Sequence, residues 1–323
     1  MNSRFVVALL ACFTVLPGAS ACKTKHEGEG TPSPSVTPIT TRATIVMPSA
    51  GPVASAWVPI LYRLDGVKPS YLLGTIHVGD RRINAFPSVI TKDFTASDEL
   101  VTEVVMDSAD KNKFVLGTVL DGKTLADVLS PAVYAKAKAT FTAVHVPSNL
   151  YDHMKPWAVA VQISLFDHIA DLQSGVDLRL TADARAIKKP ISGLETFDEQ
   201  LDVFDKMSAS DQEMMVDEAI TQRDNAKKEG RDPIKELLDA YVSGDEERVL
   251  ASLDTDYDPK NPTDVRLRQR LIYDRNVTMK TRIIARMDGT KSFFFAVGTA
   301  HVVGPEGIVA LLRAAGVKVE RER

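Results

Sequence analysis

Two histidines follow a repeated motif near opposite ends of the chain. Gly74-Thr75-Ile76-His77-Val78 is echoed by Gly298-Thr299-Ala300-His301-Val302. Each copy follows an apolar run that predicts a buried strand, and glycine permits a sharp turn or a close approach where such a strand ends. A side chain at that point projects from the carboxyl end of the strand, where open α/β sheets bind ligands. If the two strands are neighbours, both imidazoles converge on one point suited to a metal ion or a polarised water.

Strands at both ends of the chain must position these histidines. Residues 58–64 and 70–76 are β-prone runs around a turn-like Asp65-Gly66-Val67-Lys68-Pro69, which predicts a hairpin with a five-residue loop. A third strand is predicted at 99–105, after a short helix within 87–96. Near the end, the apolar run 293–297 is too continuous for a surface strand and predicts a central one.

The middle of the chain is predicted to be helical. Ser130-Pro131 is a typical helix start, because serine caps and proline suits the first helical position. The remaining predicted elements are helices at 131–139, 155–170, 177–188, 197–206, 210–228, 264–287 and 307–315, and strands at 190–192 and 317–320. The pattern predicts a mixed α/β fold, with one central sheet built from the N- and C-terminal segments and a helical cap at about 130–255.

The first residues predict export. Arg4, an apolar run and the small residues Ala19-Ser20-Ala21 have the order of a signal peptide, residues 1–21. Two cleavage interpretations remain: a lipobox that acylates Cys22, or ordinary cleavage after Ala21. The polar stretch that follows favours the first, with residues 22–56 as a disordered tether and residues 57–323 as the folded domain. The expected location is the cell envelope, lipid-anchored to the outer membrane or in the periplasm.

Composition excludes several kinds of function. Cys22 is the only cysteine left after removal of Cys12 with the signal, so the processed chain has neither an internal disulfide nor a second thiol for catalysis. A formal net charge of −4 argues against nucleic acid as a partner. The HExxH, Gly-x-Ser-x-Gly and phosphate-loop motifs are missing, which argues against zincins, serine hydrolases and nucleotide enzymes.

The paired Gly-x-x-His motif, with an acidic residue soon after its first copy, resembles the TraB/GumN (TraB/PrgY/GumN) family. Five segments resemble family blocks, in the family order, across almost all of the chain from Trp57 to Arg323. The blocks are Tyr71-Leu72-Leu73-Gly74-Thr75-Ile76-His77-Val78-Gly79-Asp80, Lys155-Pro156-Trp157, Gly175-Val176-Asp177, Gly193-Leu194-Glu195-Thr196 and Val297-Gly298-Thr299-Ala300-His301. The resemblance implies a fold similar to that of erythromycin esterase and the ChaN-type haem-binding lipoproteins. It also implies a relation to the Tiki metalloproteases.

The resemblance implies roles for several residues. His77 and His301 match the family's metal ligands, and Glu103 matches its glutamate, either as a third ligand or as the general base. Two histidines and a carboxylate would leave a coordination position of a divalent metal ion open for water, as in catalytic sites. Arg275 either stabilises an oxyanion or forms a structural salt bridge. Glu195 either supports the site, as Gly74 and Gly298 do, or caps a helix.

Two functions follow from these expectations. The first is a metal-dependent hydrolase acting outside the cytoplasm, with a peptidase of peptide or protein substrates as the main prediction. The second is a non-catalytic envelope lipoprotein that binds haem or a metal through the same histidines. Asp177 is expected only to begin a helix, and His145, His153 and His168 to be packing or surface residues.

Overall fold

The computed structural model describes residues 57–106, 108–255 and 257–323. The predicted signal peptide, Cys22 and the tether through residue 56 lie outside the described residues. None of the helices in these three ranges is both long and apolar enough to cross a bilayer.

The described residues form one mixed sheet, in the order β4-β3-β5-β2-β1-β6. The strands are β1 Leu61–Leu64, β2 Ser70–Thr75, β3 Glu99–Thr102, β4 Ile191–Gly193, β5 Phe293–Gly298 and β6 Val319–Arg321. Strands β2, β5, β3 and β4 are mutually parallel, whereas β1 pairs antiparallel with both β2 and β6. This mixed α/β sheet, made of segments from both ends of the chain, confirms the predicted fold class.

Helices pack around this sheet and form the middle of the chain. The α-helices are α1 Ser88–Ala96, α2 Ser108–Gly117, α3 Leu125–Val128, α4 Pro131–Ala143, α5 Pro156–Leu165, α6 Val176–Ala186, α7 Phe197–Asp205, α8 Ala209–Glu229, α9 Pro233–Ser243, α10 Glu246–Asp254, α11 Pro262–Arg268, α12 Asp274–Met287, α13 Thr299–Val302 and α14 Ile308–Ala314. Short 3₁₀ turns lie at Arg81–Ile83, Ser148–Leu150, Phe166–His168 and Asp171–Ser174.

The hairpin and the central strand agree with the sequence pattern. Leu64 pairs with Ser70, which leaves the predicted five-residue loop between β1 and β2. All six residues of β5 are buried, because β3 and β2 flank this strand on both sides and helices cover the sheet. A continuous apolar run is what such an interior parallel strand requires.

Three predicted elements differ from the structure. The third strand ends at Thr102 rather than at residue 105. The predicted helix 264–287 is interrupted by a π-helical turn at Gln269–Tyr273, a feature that is common beside functional sites. The last strand, predicted at 317–320, is β6 Val319–Arg321, which pairs antiparallel with β1 at the edge of the sheet.

Helix α7 illustrates how local chemistry sets an element boundary near the sheet edge. The Thr196 N–H donates to Glu199 Oε2 at 2.8 Å and the Glu199 N–H donates to Thr196 Oγ1 at 3.2 Å, which together form a capping box. Arg282 also donates to both oxygens of Glu199, at 2.6 and 2.8 Å. These Arg282 hydrogen bonds are the main reason that the pKa of Glu199 is lowered from 4.5 to about 2.

Glu199→Gln is expected to destabilise the protein only where Glu199 is ionised. A lowered pKa contributes stability above the unfolded value of 4.5, and this contribution is lost as the pH falls toward about 2. Because both partners are more than a third exposed, the loss at neutral pH is about 0.2–1 kcal/mol. Urea unfolding of parent and variant should give curves that converge as the pH falls through this window; a pH-independent difference would contradict the assignment.

Candidate active site

Four neighbouring parallel strands end at the same edge of the sheet. Each strand is followed, within three residues, by an ionisable residue. His77 comes two residues after β2, Glu103 one after β3, Glu195 two after β4 and His301 three after β5. The β2–β5 pairing sets Thr75 opposite Gly298, so the two Gly-x-x-His motifs lie side by side. The carboxyl edge of a parallel sheet is the usual ligand-binding edge of such folds.

Arg275, near the start of α12, joins three of these residues. Its Nη2 donates to Glu103 Oε2 at 2.7 Å and to Glu195 Oε2 at 2.6 Å, and its Nε donates to Glu195 Oε1 at 3.0 Å. Its Nη1 lies 3.1 Å from His301 Nε2. The predicted salt bridge of Arg275 is therefore present, and it lies within the candidate site.

The tautomer of His301 follows from its neighbours. Its Nδ1 lies 2.7 Å from Asn276 Oδ1, and the Asn276 amide donates to the Glu306 carbonyl at 2.7 Å. That second bond identifies Oδ1 as the acceptor, so Nδ1 carries the proton of the neutral ring. Nε2 then presents its lone pair to Arg275 Nη1–H. His301 lies in the short helix α13 rather than in a loop.

His77 is anchored in a similar way by Asp177, in the first turn of α6. Its Nδ1 lies 3.0 Å from Asp177 Oδ1. The Val176 N–H donates to the Ile76 carbonyl at 2.9 Å, which ties the start of α6 to the loop that carries His77. This distance is within ion-pair range, so Asp177 and the start of α6 fix the position of the His77 ring beside the sheet edge.

Glu103 is the acidic residue whose carboxyl contacts both the second Gly-x-x-His motif and Arg275. Its Oε1 accepts the Gly298 N–H at 2.7 Å, which links the glycine of the second motif directly to the site. Burial raises the pKa of the Glu103 carboxyl, and the Glu195 carboxylate adds to this; Arg275 and His77 oppose it. Glu103 therefore joins the second Gly-x-x-His motif to Arg275.

The site is shielded from water. His77, Glu103, Glu195, Arg275 and His301 are each at most 7% exposed. Helices α2 and α7 lie over the ends of β3 and β4 through a small apolar cluster of Val104, Phe114 and Phe197, separate from the main core. Charges in such an enclosed place interact more strongly than they would in water.

The predicted site residues lie at one edge of the sheet, but the sequence pattern did not predict all of their partners. Glu195 does not cap α7, because Thr196 does; its carboxylate holds Arg275 instead. Asp177 does begin a helix, yet it also orients His77, a role its Gly175-Val176-Asp177 block alone could have suggested. Gln200, 3.2 Å from Glu195 Oε2, gave no sequence signal.

Three further residues from the prediction have clear positions. Gly74 lies inside β2, where its carbonyl accepts the Tyr241 hydroxyl at 2.8 Å. His153 is exposed, and its Nδ1 lies 3.0 Å from the Lys123 carbonyl. His168 lies between Asp171 and Asp232 in the helical middle of the chain. Neither histidine contacts the residues at the sheet edge in the described structure.

The fold and the site together define a class: an α/β protein with a buried histidine–carboxylate–arginine cluster at the carboxyl edge of a mixed sheet. The sequence matches the TraB/PrgY/gumN family over residues 61–321, so the chain belongs to that family. This confirms the family suggested by the paired motifs.

Curated relatives in this family carry a common name. Metalloprotease TIKI2 of Xenopus tropicalis is 27% identical over 305 residues, covering 78% of this chain and 57% of its own length. Metalloprotease TIKI1 of Danio rerio is 26% identical, with 80% and 62% covered, and metalloprotease TIKI1 of Homo sapiens is 24% identical, with 80% and 61% covered. The chain thus spans about three fifths of the length of these relatives. No solved structure matches the chain.

Proposed function

We propose that this protein is a metal-dependent hydrolase of the peptidase class, with His77 and His301 as metal ligands and Glu103 as either a third ligand or the general base. The observation that carries the proposal is that each of four adjacent parallel strands delivers a potential donor to one buried edge. The metalloprotease names of the relatives support it at the level of the family.

The chemistry of the donors fits a divalent cation. His301 is held through Nδ1 by Asn276 Oδ1 and so presents Nε2, and His77 Nδ1 lies 3.0 Å from the Asp177 carboxylate. Metal-binding histidines are usually held in this way by partners outside the ligand shell. In the described part of the chain, no three side chains of metal-binding type are grouped closely enough to hold an ion. The Arg275 side chain lies between Glu103, Glu195 and His301.

The charges of the site fit as well. Two buried carboxylates, those of Glu103 and Glu195, contact the buried Arg275 guanidinium, and a third, that of Asp177, lies against His77. With all three carboxylates ionised and both imidazoles neutral, the group would carry two excess negative charges. Uncompensated buried charge is costly. A divalent cation at this edge would neutralise the negative charge that Arg275 alone does not balance.

The residues themselves then have definite tasks. The metal would polarise a scissile carbonyl and lower the pKa of bound water. Asp177 and Asn276 hold the two imidazoles, the Gly298 N–H holds one oxygen of Glu103, and Gln200 contacts the Glu195 carboxylate. Glu103 is either a third ligand or the base that accepts a proton from water.

Metal removal is the direct test. The full chain would be incubated with a peptide library, after chelation, and after re-addition of Zn²⁺, Mn²⁺ or Co²⁺, with metal content measured throughout. We expect cleavage to disappear with the metal and to return with at least one of the ions. Cleavage that persists at zero metal content would refute metal dependence.

A second outcome of the same experiment concerns the alternative function. Stoichiometric metal without cleavage of any peptide would leave a binding protein rather than a hydrolase. Haem titration then separates the two ligands, since bound haem gives a strong visible absorbance that His77→Ala/His301→Ala would lack if these histidines bind it. In that case the hydrolase proposal fails.

The same proposal includes export and a lipid anchor at Cys22. Its support is the order of charged, apolar and small residues before Cys22. Acylation would place the folded part outside the cytoplasm at a membrane surface, where peptide and protein substrates would be met. Metabolic labelling with a palmitate analogue, lost in Cys22→Ala, would support the anchor; an unlabelled parent chain would contradict it.

A further inference from the structure

The Arg275 guanidinium is fully engaged by the site. Its Nε and one Nη2 hydrogen go to Glu195 and the other Nη2 hydrogen goes to Glu103. Nη1 contacts His301 Nε2 at 3.1 Å and the Leu271 carbonyl at 3.3 Å. These contacts account for all five N–H donors of an arginine.

Two of these contacts use electron pairs that a metal would need. Glu103 Oε2 and the His301 Nε2 lone pair both point at Arg275 nitrogens, at 2.7 and 3.1 Å. Carboxylate oxygen and imidazole nitrogen are metal ligands of catalytic sites. The single lone pair of His301 Nε2 cannot bind a guanidinium hydrogen and a metal ion together, and at Glu103 the two cations would crowd the same oxygen, so Arg275 and the metal compete.

Glu195 differs from the other two partners. It binds Arg275 side-on, through Oε1 to Nε at 3.0 Å and Oε2 to Nη2 at 2.6 Å, the bidentate geometry that gives the strongest carboxylate–arginine pairs. This pair does not use Glu103 or His301. It can persist when the other contacts are broken.

We propose that Arg275 is an internal competitor of the metal: it occupies Glu103 and His301 in the metal-free chain, and Glu195 retains it when the metal takes these two ligands. The inference rests on the metal dependence proposed above. Arg275 and Glu195 thereby have opposite effects on metal affinity, although they contact each other. Replacing Arg275 should strengthen metal binding. Replacing Glu195 should weaken it, because Arg275 would then bind only Glu103 and His301.

The test is titration of Mn²⁺ and Zn²⁺ into the chelator-treated full chain by calorimetry, with elemental analysis after dialysis. We expect Arg275→Met to bind roughly tenfold to hundredfold more tightly than the parent, and Glu195→Gln to bind more weakly by a similar factor, the range found for groups next to metal ligands. Arg266→Met is the matched control, because Arg266 is a half-exposed arginine that pairs with Asp211 and not with the residues at the sheet edge; its affinity should equal that of the parent.

The test does not depend on the stability of Arg275→Met alone. Arg275→Lys retains a positive charge but cannot reproduce the bidentate contact, and it should give a smaller gain in affinity if Arg275→Met proves too unstable to study. Metal-induced thermal stabilisation, which rises with affinity, gives a second readout and should follow the same order.

Three results would contradict the proposals, in different ways. Metal binding by the parent with no gain in Arg275→Met and Arg275→Lys refutes the competitor role alone. Unchanged or tighter binding in Glu195→Gln refutes the holding role of Glu195. No binding by the parent or by either Arg275 variant refutes the proposed metal dependence itself.

Discussion

His77→Ala and His301→Ala are each expected to lower the rate of peptide hydrolysis by about 10³-fold or more, since loss of a metal's electrostatic contribution removes several kcal/mol of transition-state stabilisation. Asn276 holds His301 through Nδ1, Asp177 lies 3.0 Å from His77 Nδ1, and both histidines follow strands that end at the same sheet edge. Either substitution removes one of the proposed ligands. The kcat/KM value for a substrate found in the library, together with metal content, measures the effect.

His153→Ala is the control for this pair. His153 is exposed and lies away from the sheet edge, against the Lys123 carbonyl. Its replacement should change neither metal content nor kcat/KM. Circular dichroism must show that the two site variants remain folded, because His301 is completely buried. A folded His301→Ala variant with the parent's activity would remove His301 from the mechanism.

Gly175→Ala is expected to lower activity by about 10²-fold, the loss that a misplacement of roughly 1 Å can cause. A Cβ at Gly175 would lie 2.5 Å from the His77 carbonyl oxygen and 2.8 Å from the His77 Cα. These are backbone atoms, which have no side-chain rotamer to adopt. The φ of Gly175 is −59°, so close approach rather than an unusual conformation requires glycine here.

The same substitution should cost about 1–3 kcal/mol in stability, as overpacking does elsewhere. Gly289→Ala is the matched control, because the nearest atom to a Cβ at Gly289 is 3.6 Å away. Thermal unfolding and kcat/KM should both change in Gly175→Ala and neither in Gly289→Ala. If Gly175→Ala lost stability but kept full activity, the contact with the His77 backbone would not control the position of the imidazole.

Several strands and helices could be predicted because the residues within each segment show a clear hydrophobic pattern or a clear capping or turn residue at its end. The hairpin loop 65–69, the buried strand β5 and the Ser130 cap of α4 all follow from neighbouring residues. The π-helical turn at Gln269–Tyr273 was missed. Its residues are ordinary helix formers, and nothing in their spacing distinguishes an α-helical from a π-helical turn.

The sequence alone pointed to the candidate donors of the proposed site. A repeated Gly-Thr-x-His-Val segment after two apolar runs identified His77 and His301, and the family resemblance added Glu103, Glu195 and Arg275. These signals are local in the chain. Each depends on a residue type and its distance from the end of a strand.

Only the tertiary structure decided how the donors are engaged. Arg275 contacts Glu103, 172 residues away in the sequence, and Glu195, 80 residues away. The contact between His77 and Asp177 likewise joins two separate segments. Contacts over such separations depend on strand order and helix packing, which no local pattern encodes. The buried edge of the sheet therefore turned a predicted open metal site into one in which an arginine already pairs with the acidic residues.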